Sequence, residues 1–191
     1  MKTTQDRFNT CKRAGLSLAL VASLTLAGAI TTAVAKGTDN RAPDVPAILT
    51  VGDTNRVHFH AYAIGAQVYT WVVNPTNGAL SSWVLLAPDA ILFDADGNIV
   101  GRHYAGPTWE SNSGSKVVGM RVQGVMVDPT AIPWLLLAKK STSGNGIFAD
   151  VTYVQRVNTF EGLPPSTRGT TAGQIARVAY TAEYYFYRES N

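Results

Sequence analysis

Beyond its first 46 residues the chain is patterned with a period of two. In 57–64, Val57, Phe59, Ala61 and Ala63 alternate with His58, His60, Tyr62 and Ile64. In 118–126, Val118, Met120, Val122 and Met126 alternate with Gly119, Arg121, Gln123 and Val125, and in 180–187 Tyr180, Ala182, Tyr184 and Phe186 interleave with Thr181, Glu183, Tyr185 and Tyr187. Alternation sends successive side chains to opposite faces of an extended chain, so each segment predicts a half-buried β-strand. Segments 83–87, 91–93 and 134–138 are apolar without alternation and predict strands buried on both faces. Asn77-Gly78, Asp96-Gly97, Ser113-Gly114 and Ser143-Gly144-Asn145-Gly146 predict hairpins in which glycine or asparagine supplies positive φ, with Asp96-Gly97 suited to a type I′ turn. The Gly-, Pro-, Ser- and Thr-rich stretch 161–176 predicts a surface loop, of the kind that borders sites. Regular turns with almost no 3.6-residue period predict an all-β fold. It is an antiparallel β-sandwich or barrel of roughly eight to ten strands, following an N-terminal signal helix.

That signal helix comes from the opening residues. Lys2, Arg7, Lys12 and Arg13 precede an uncharged run over 14–35, which closes on Ala33-Val34-Ala35 before Lys36. A basic segment, an apolar segment and an A-x-A site make a secretory leader over 1–35, with the mature chain starting at Lys36. Ser17, Ser23, Thr25, Thr31 and Thr32 dilute the run and argue against an uncleaved membrane anchor. Polar, Pro-containing residues 36–46 predict an extended lead-in, and 47–191 a single β domain. The expected location is secreted or periplasmic, with no membrane contact after cleavage.

Cleavage changes the electrostatics. The full chain has 16 basic and 13 acidic residues. The leader removes four bases and one acid, leaving 12 of each, scattered rather than clustered. A neutral domain has little net field to hold nucleic acid, so no nucleic-acid partner is expected. Cys11, the only cysteine, also leaves, which excludes disulfides and thiolate metal sites from the mature chain. The domain must rest on its apolar core.

The densest candidate chemistry is His103-Tyr104-Ala105-Gly106-Pro107-Thr108-Trp109-Glu110, with Asp89 upstream. A Gly-Pro bend between two strands would set His103 and Glu110 face to face, the pairing acid–base work needs. Tyr104 and Trp109 would add flat amphipathic walls suited to a small molecule or glycan. The structural alternative is core packing of the rings, with His103 and Glu110 bracing the turn. His58 and His60, two apart on one strand, share a face as metal-binding pairs do, and His103 is the remaining histidine. Gly52 and the histidine spacing are similar to the first motif of cupin barrels, but 61–67 holds no acid to complete it. Asp94-Ala95-Asp96-Gly97-Asn98 has alternate acids like a calcium loop, yet its twelfth position is Ala105. No G-x-S-x-G occurs, which argues against acyl-transfer hydrolysis, and no cofactor is expected. Tyr180, Tyr184, Tyr185, Phe186 and Tyr187 read as a cross-strand aromatic ladder; an outward tyrosine row would instead make a stacking platform.

Several runs together carry a family resemblance: 83–90 (WVLLAPDA), 101–110 (GRHYAGPTWE), 132–137 (IPWLLL), 154–159 (VQRVNT) and 180–187 (YTAEYYFY). Over about 47–188 the chain resembles the secreted bacterial and fungal family catalogued as domain of unknown function 3455. The resemblance implies export, a compact domain and no established activity. Some fungal members carry a malate dehydrogenase label, but no G-x-G-x-x-G follows a strand here. Members often carry a cysteine where Trp71 stands and another near Thr167 or Arg168; their absence implies a looser 161–176 loop. The expected function is binding of a small molecule or glycan near His103, Tyr104, Trp109, Glu110 and Asp89. The alternatives are a metal-dependent enzyme using His58, His60 and His103, and a structural or interaction protein of the envelope.

Overall fold

The computed structural model describes residues 41–190. The expected leader, its expected cleavage site and the first part of the expected lead-in lie outside the described residues. Eight strands follow one another: β1 (Asn55–Val72), β2 (Ser82–Phe93), β3 (Ile99–Tyr104), β4 (Thr108–Ser111), β5 (Lys116–Val125), β6 (Trp134–Ser143), β7 (Tyr153–Glu161) and β8 (Ile175–Glu189). Each pairs antiparallel with the next, and β8 returns to β1, closing the barrel. Closure leaves no exposed sheet edge, which suits a β domain whose described residues contain no cysteine. Two single-turn 3-10 helices, Ala47–Leu49 and Gly78–Leu80, complete the regular structure of the described residues.

The period-two segments meet different fates. In β1, Ala61 and Ala63 are buried inside while Ile64 is exposed. In β8, Tyr180, Ala182, Tyr184 and Phe186 all point into the core, so Tyr180 and Tyr184 face inward and make no outer platform, while Tyr185 lies outside against His60. In β5 the expectation reverses: Met120 and Val122 are exposed, and Gly119 is the inward position. A β-carbon on Gly119 would stand 3.0 Å from the Trp109 ring and 3.1 Å from Leu137 Cδ2, so glycine there is what lets the indole lie across the interior. The strand predicted buried on both faces at 83–87 is exposed at Val84, Leu85 and Leu86, as is Ile91 in the next segment. A single closed sheet has one interior, so the other face of each strand lies outside the barrel whatever its composition.

The interior is filled chiefly at one end. Phe148 and Val151, from the β6–β7 connection, seal that end against Phe59 and Phe186. Fully burying Trp109 beside them contributes about 4 to 6 kcal/mol at the usual value for apolar area. At the opposite end lie the connections 73–81, 105–107, 126–133 and 162–174. The β2–β3 hairpin is not type I′: only Gly97 has positive φ (84°), and its N–H donates to Asp94 O at 3.1 Å. The Asp94 carboxylate accepts from the backbone of Asp96 and Asn98 at 3.0 and 2.9 Å, so it is committed to its own turn rather than to calcium.

The 162–174 loop is firmly anchored, contrary to the looseness implied by its missing cysteines. Gly169 lies against Trp71, where a β-carbon would come within 2.4 Å of the indole, and the Arg168 guanidinium stacks over the same ring at 5.3 Å. Trp83 Nε1 donates to Thr167 O at 2.8 Å, and Tyr69 Oη to Gly162 O at 2.6 Å. Ring packing and hydrogen bonds thus hold the loop without cysteines.

Candidate functional site

The β3–β4 hairpin divides the site expected around its bend. Cross-strand pairing sets His103 opposite Trp109 and Arg102 opposite Glu110. Because side chains alternate, the first pair points into the barrel and the second away from it. His103 and Glu110 therefore never face each other. Outside, Glu110 accepts from Tyr104 Oη at 2.8 Å and Arg102 Nη2 at 2.9 Å, with Lys116 Nζ at 3.6 Å. These donors, Tyr104 first, hold its carboxyl below the usual range, and Glu110 in turn raises the Tyr104 phenol. Asp89 is also outside, paired with Arg177 Nη2 at 2.6 Å. Tyr104, Glu110 and Asp89 brace the wall; they do not line the interior.

Inside, His103 and Trp109 stack at 4.3 Å with an 11° interplanar angle, and Tyr184 meets both edge-on at 5.1 and 5.3 Å. His103 is 2% exposed, and Nδ1 lies 2.8 Å from Thr108 O. A carbonyl only accepts, so Nδ1 carries the hydrogen and Nε2 keeps its lone pair. Burial drives the imidazole pKa down to about 3, with the Arg156 cation acting in the same direction, so the ring is neutral.

This stacked pair forms the wall of a cavity of about 220 Å³ toward the open end. All eight strands contribute to it: Gln67, Pro88, His103, Trp109, Arg121, Leu135 with Leu137, Arg156 and Tyr184 in strand order, with Leu85, Leu86 and Pro107 at the rim. Two buried donors on this wall, Gln67 Nε2 and Trp109 Nε1, have no hydrogen-bond partner. Arg156, 9% exposed, donates Nε and Nη2 to Pro133 O at 3.1 and 2.8 Å. Desolvation raises the pKa of Tyr184 and, strongly, of Tyr180, whose hydroxyls lie 3.4 Å apart. A larger depression of about 330 Å³ at the sealed end, among Lys139, Asp150, Thr152, Arg188 and Glu189, is polar and shares no residue with the aromatic wall.

The three histidines do not converge. His60 lies on the outer wall, stacked on Tyr185 at 4.0 Å with Nε2 2.9 Å from Glu183 Oε2, whereas His103 is inside. His58 sits at the β1 bulge between Val57 and Phe59. Among the described residues no three His, Cys, Asp or Glu side chains are grouped to hold a metal ion. Sequence reasoning passed over Gln67, Arg121 and Arg156 as site residues. The available signal was a lone arginine in the otherwise uncharged 151–157 stretch and a glutamine amid Ala63-Ile64-Gly65-Ala66 and Val68.

Fold and cavity together define a closed, up-and-down eight-stranded β-barrel with one occupied end and one hollow end. The chain belongs to the family described as protein of unknown function (DUF3455), which it matches over residues 52–188. No match was found among curated proteins or among solved structures.

Proposed function

We propose that the protein is an exported barrel that binds one small molecule in the cavity beside His103 and Trp109. The observation that carries this reading is the meeting of unpartnered buried donors with an apolar wall at the one hollow end of an otherwise packed interior. Ligand sites characteristically combine an apolar lining with a few placed polar groups. The cavity's size favours a compact molecule over an extended glycan, since an engineered cavity of about 150 Å³ takes benzene. Export rests on the leader pattern of 1–35. A water-facing outer wall is supported by the ion pairs it carries, Asp89 with Arg177 and Arg102 with Glu110, which a lipid-facing wall disfavours.

Isothermal titration against compact metabolites, monosaccharides and disaccharides tests this. Saturable one-to-one binding is expected, and Leu135→Trp, which places an indole in the cavity, abolishes it while circular dichroism shows an intact barrel. Binding that survives in the folded Leu135→Trp variant defeats the reading. A role as an interaction protein is the second reading, favoured by the exposed cross-strand neighbours Ile64 and Ile91, 58% and 42% accessible. It becomes the better account if no member of the panel binds.

A further inference from the structure

The polar groups of the cavity are unbalanced in a way that selects a ligand class. Gln67 and Trp109, both lining residues, are each 1% exposed, and each keeps a buried side-chain N–H without a partner. Arg156 spends two donors on Pro133 O, and no carboxylate of the described residues lies within ion-pair distance of it. Arg121 adds a second guanidinium, and no Asp or Glu is among the lining residues. A guanidinium remains charged inside a protein, and leaving it without a counter-charge is costly. Its planar fork matches an oxyanion in two-point contact. The rest of the lining, Pro88, Leu135 and Leu137 with the Trp109 ring, is apolar and flat-walled. That surface suits a carbon ring better than a phosphate or sulfate, whose oxygens would all seek donors.

We propose that the ligand is a compact organic carboxylate, its carboxyl held by Arg156 with Gln67 Nε2 and Trp109 Nε1, and its ring lying among Leu135, Leu137 and the indole. This rests on the small-molecule reading above and adds the charge and shape of the molecule. Binding of an anion there gives the Arg156 cation the counter-charge that the lining itself does not provide.

The test is calorimetric titration of the exported form of the chain with benzoate and phenylacetate, their uncharged amides benzamide and phenylacetamide, and inorganic phosphate. The acids are expected to bind at least about ten-fold more tightly than their amides and than phosphate, the factor one charge-assisted contact supplies. Arg156→Met is expected to erase that preference, with Gln67→Met lowering acid affinity less, both checked for folding by thermal melting. Amides that bind the native protein as tightly as the acids overturn the carboxylate assignment and leave the small-molecule site standing. Acid binding unchanged in Arg156→Met but lost in Leu135→Trp removes the arginine from the site. Acid binding unchanged in both variants, or absent from the native protein for every probe, overturns the proposal; in the former case the cavity is not the site at all.

Discussion

Acidification should destabilise this barrel through His103 before most of its carboxylates are protonated. The imidazole is buried between Trp109 and Tyr184, its pKa is lowered to about 3 by burial, and the nearby Arg156 cation opposes protonation further. In the unfolded chain a histidine takes a proton near pH 6.5. The unfolded state therefore binds more protons than the folded one throughout the interval between those values, and stability falls as pH falls through it. Stability is complete above about pH 6.5, declines by about 1.4 kcal/mol per unit below it, and stops declining from this source near pH 3. Between pH 8 and pH 4.5 the loss is about 2.7 kcal/mol, or roughly 5 to 11 °C in Tm for a domain of this size. Glu110, Glu183, Asp94 and Asp128 have lowered pKa values and contribute mainly at still lower pH, so this window belongs chiefly to histidine. Urea unfolding at 25 °C of the native protein and of His103→Gln, at pH 8, 6.5, 5.5 and 4.5, isolates the term. The native curve should fall by about 2.7 kcal/mol more than the variant's across that range. Parallel curves would show that His103 protonates as freely in the barrel as in water, and the closed stacked environment would be wrong.

Gln67→Met replaces a buried amide lacking a hydrogen-bond partner on Nε2 with a side chain of similar volume. A buried donor without a partner costs about 1 to 3 kcal/mol, so this exchange should raise Tm by roughly 2 to 12 °C in a melting scan without ligand; a fall would mean that the amide is satisfied. Glu110→Gln leaves the inner wall untouched and removes only ion pairs of the outer wall whose cations are exposed, so it should move Tm by no more than about 2 °C and leave ligand titrations unchanged.

How far the residues alone reach is clearest at the β3–β4 hairpin. The bend at Gly106-Pro107 and the extended segments on either side were legible, because turn residues and period-two alternation act over a few neighbours. The pairing register was not. Tyr104 opposite Thr108 and His103 opposite Trp109 follow from a tight turn, and a slip of one residue would have brought Glu110 inward. The same limit explains 83–87: an apolar strand of a closed barrel and an apolar strand between two sheets read alike, yet here Val84, Leu85 and Leu86 face solvent.

The all-β character, the turn positions and the reliance on an apolar core without disulfides were determined by the sequence itself, since propensity, alternation and cysteine content are local or additive properties. Closure into eight strands, the inward tyrosines of β8 and the assembly of Gln67, His103, Trp109 and Arg156 around one cavity were decided only by the tertiary structure. Those residues are separated by tens of positions along the chain, and what unites them is which face of each strand turns inward when β8 pairs with β1. That choice is made by packing the whole interior at once, with Gly119 yielding its space to Trp109, and no single segment contains it.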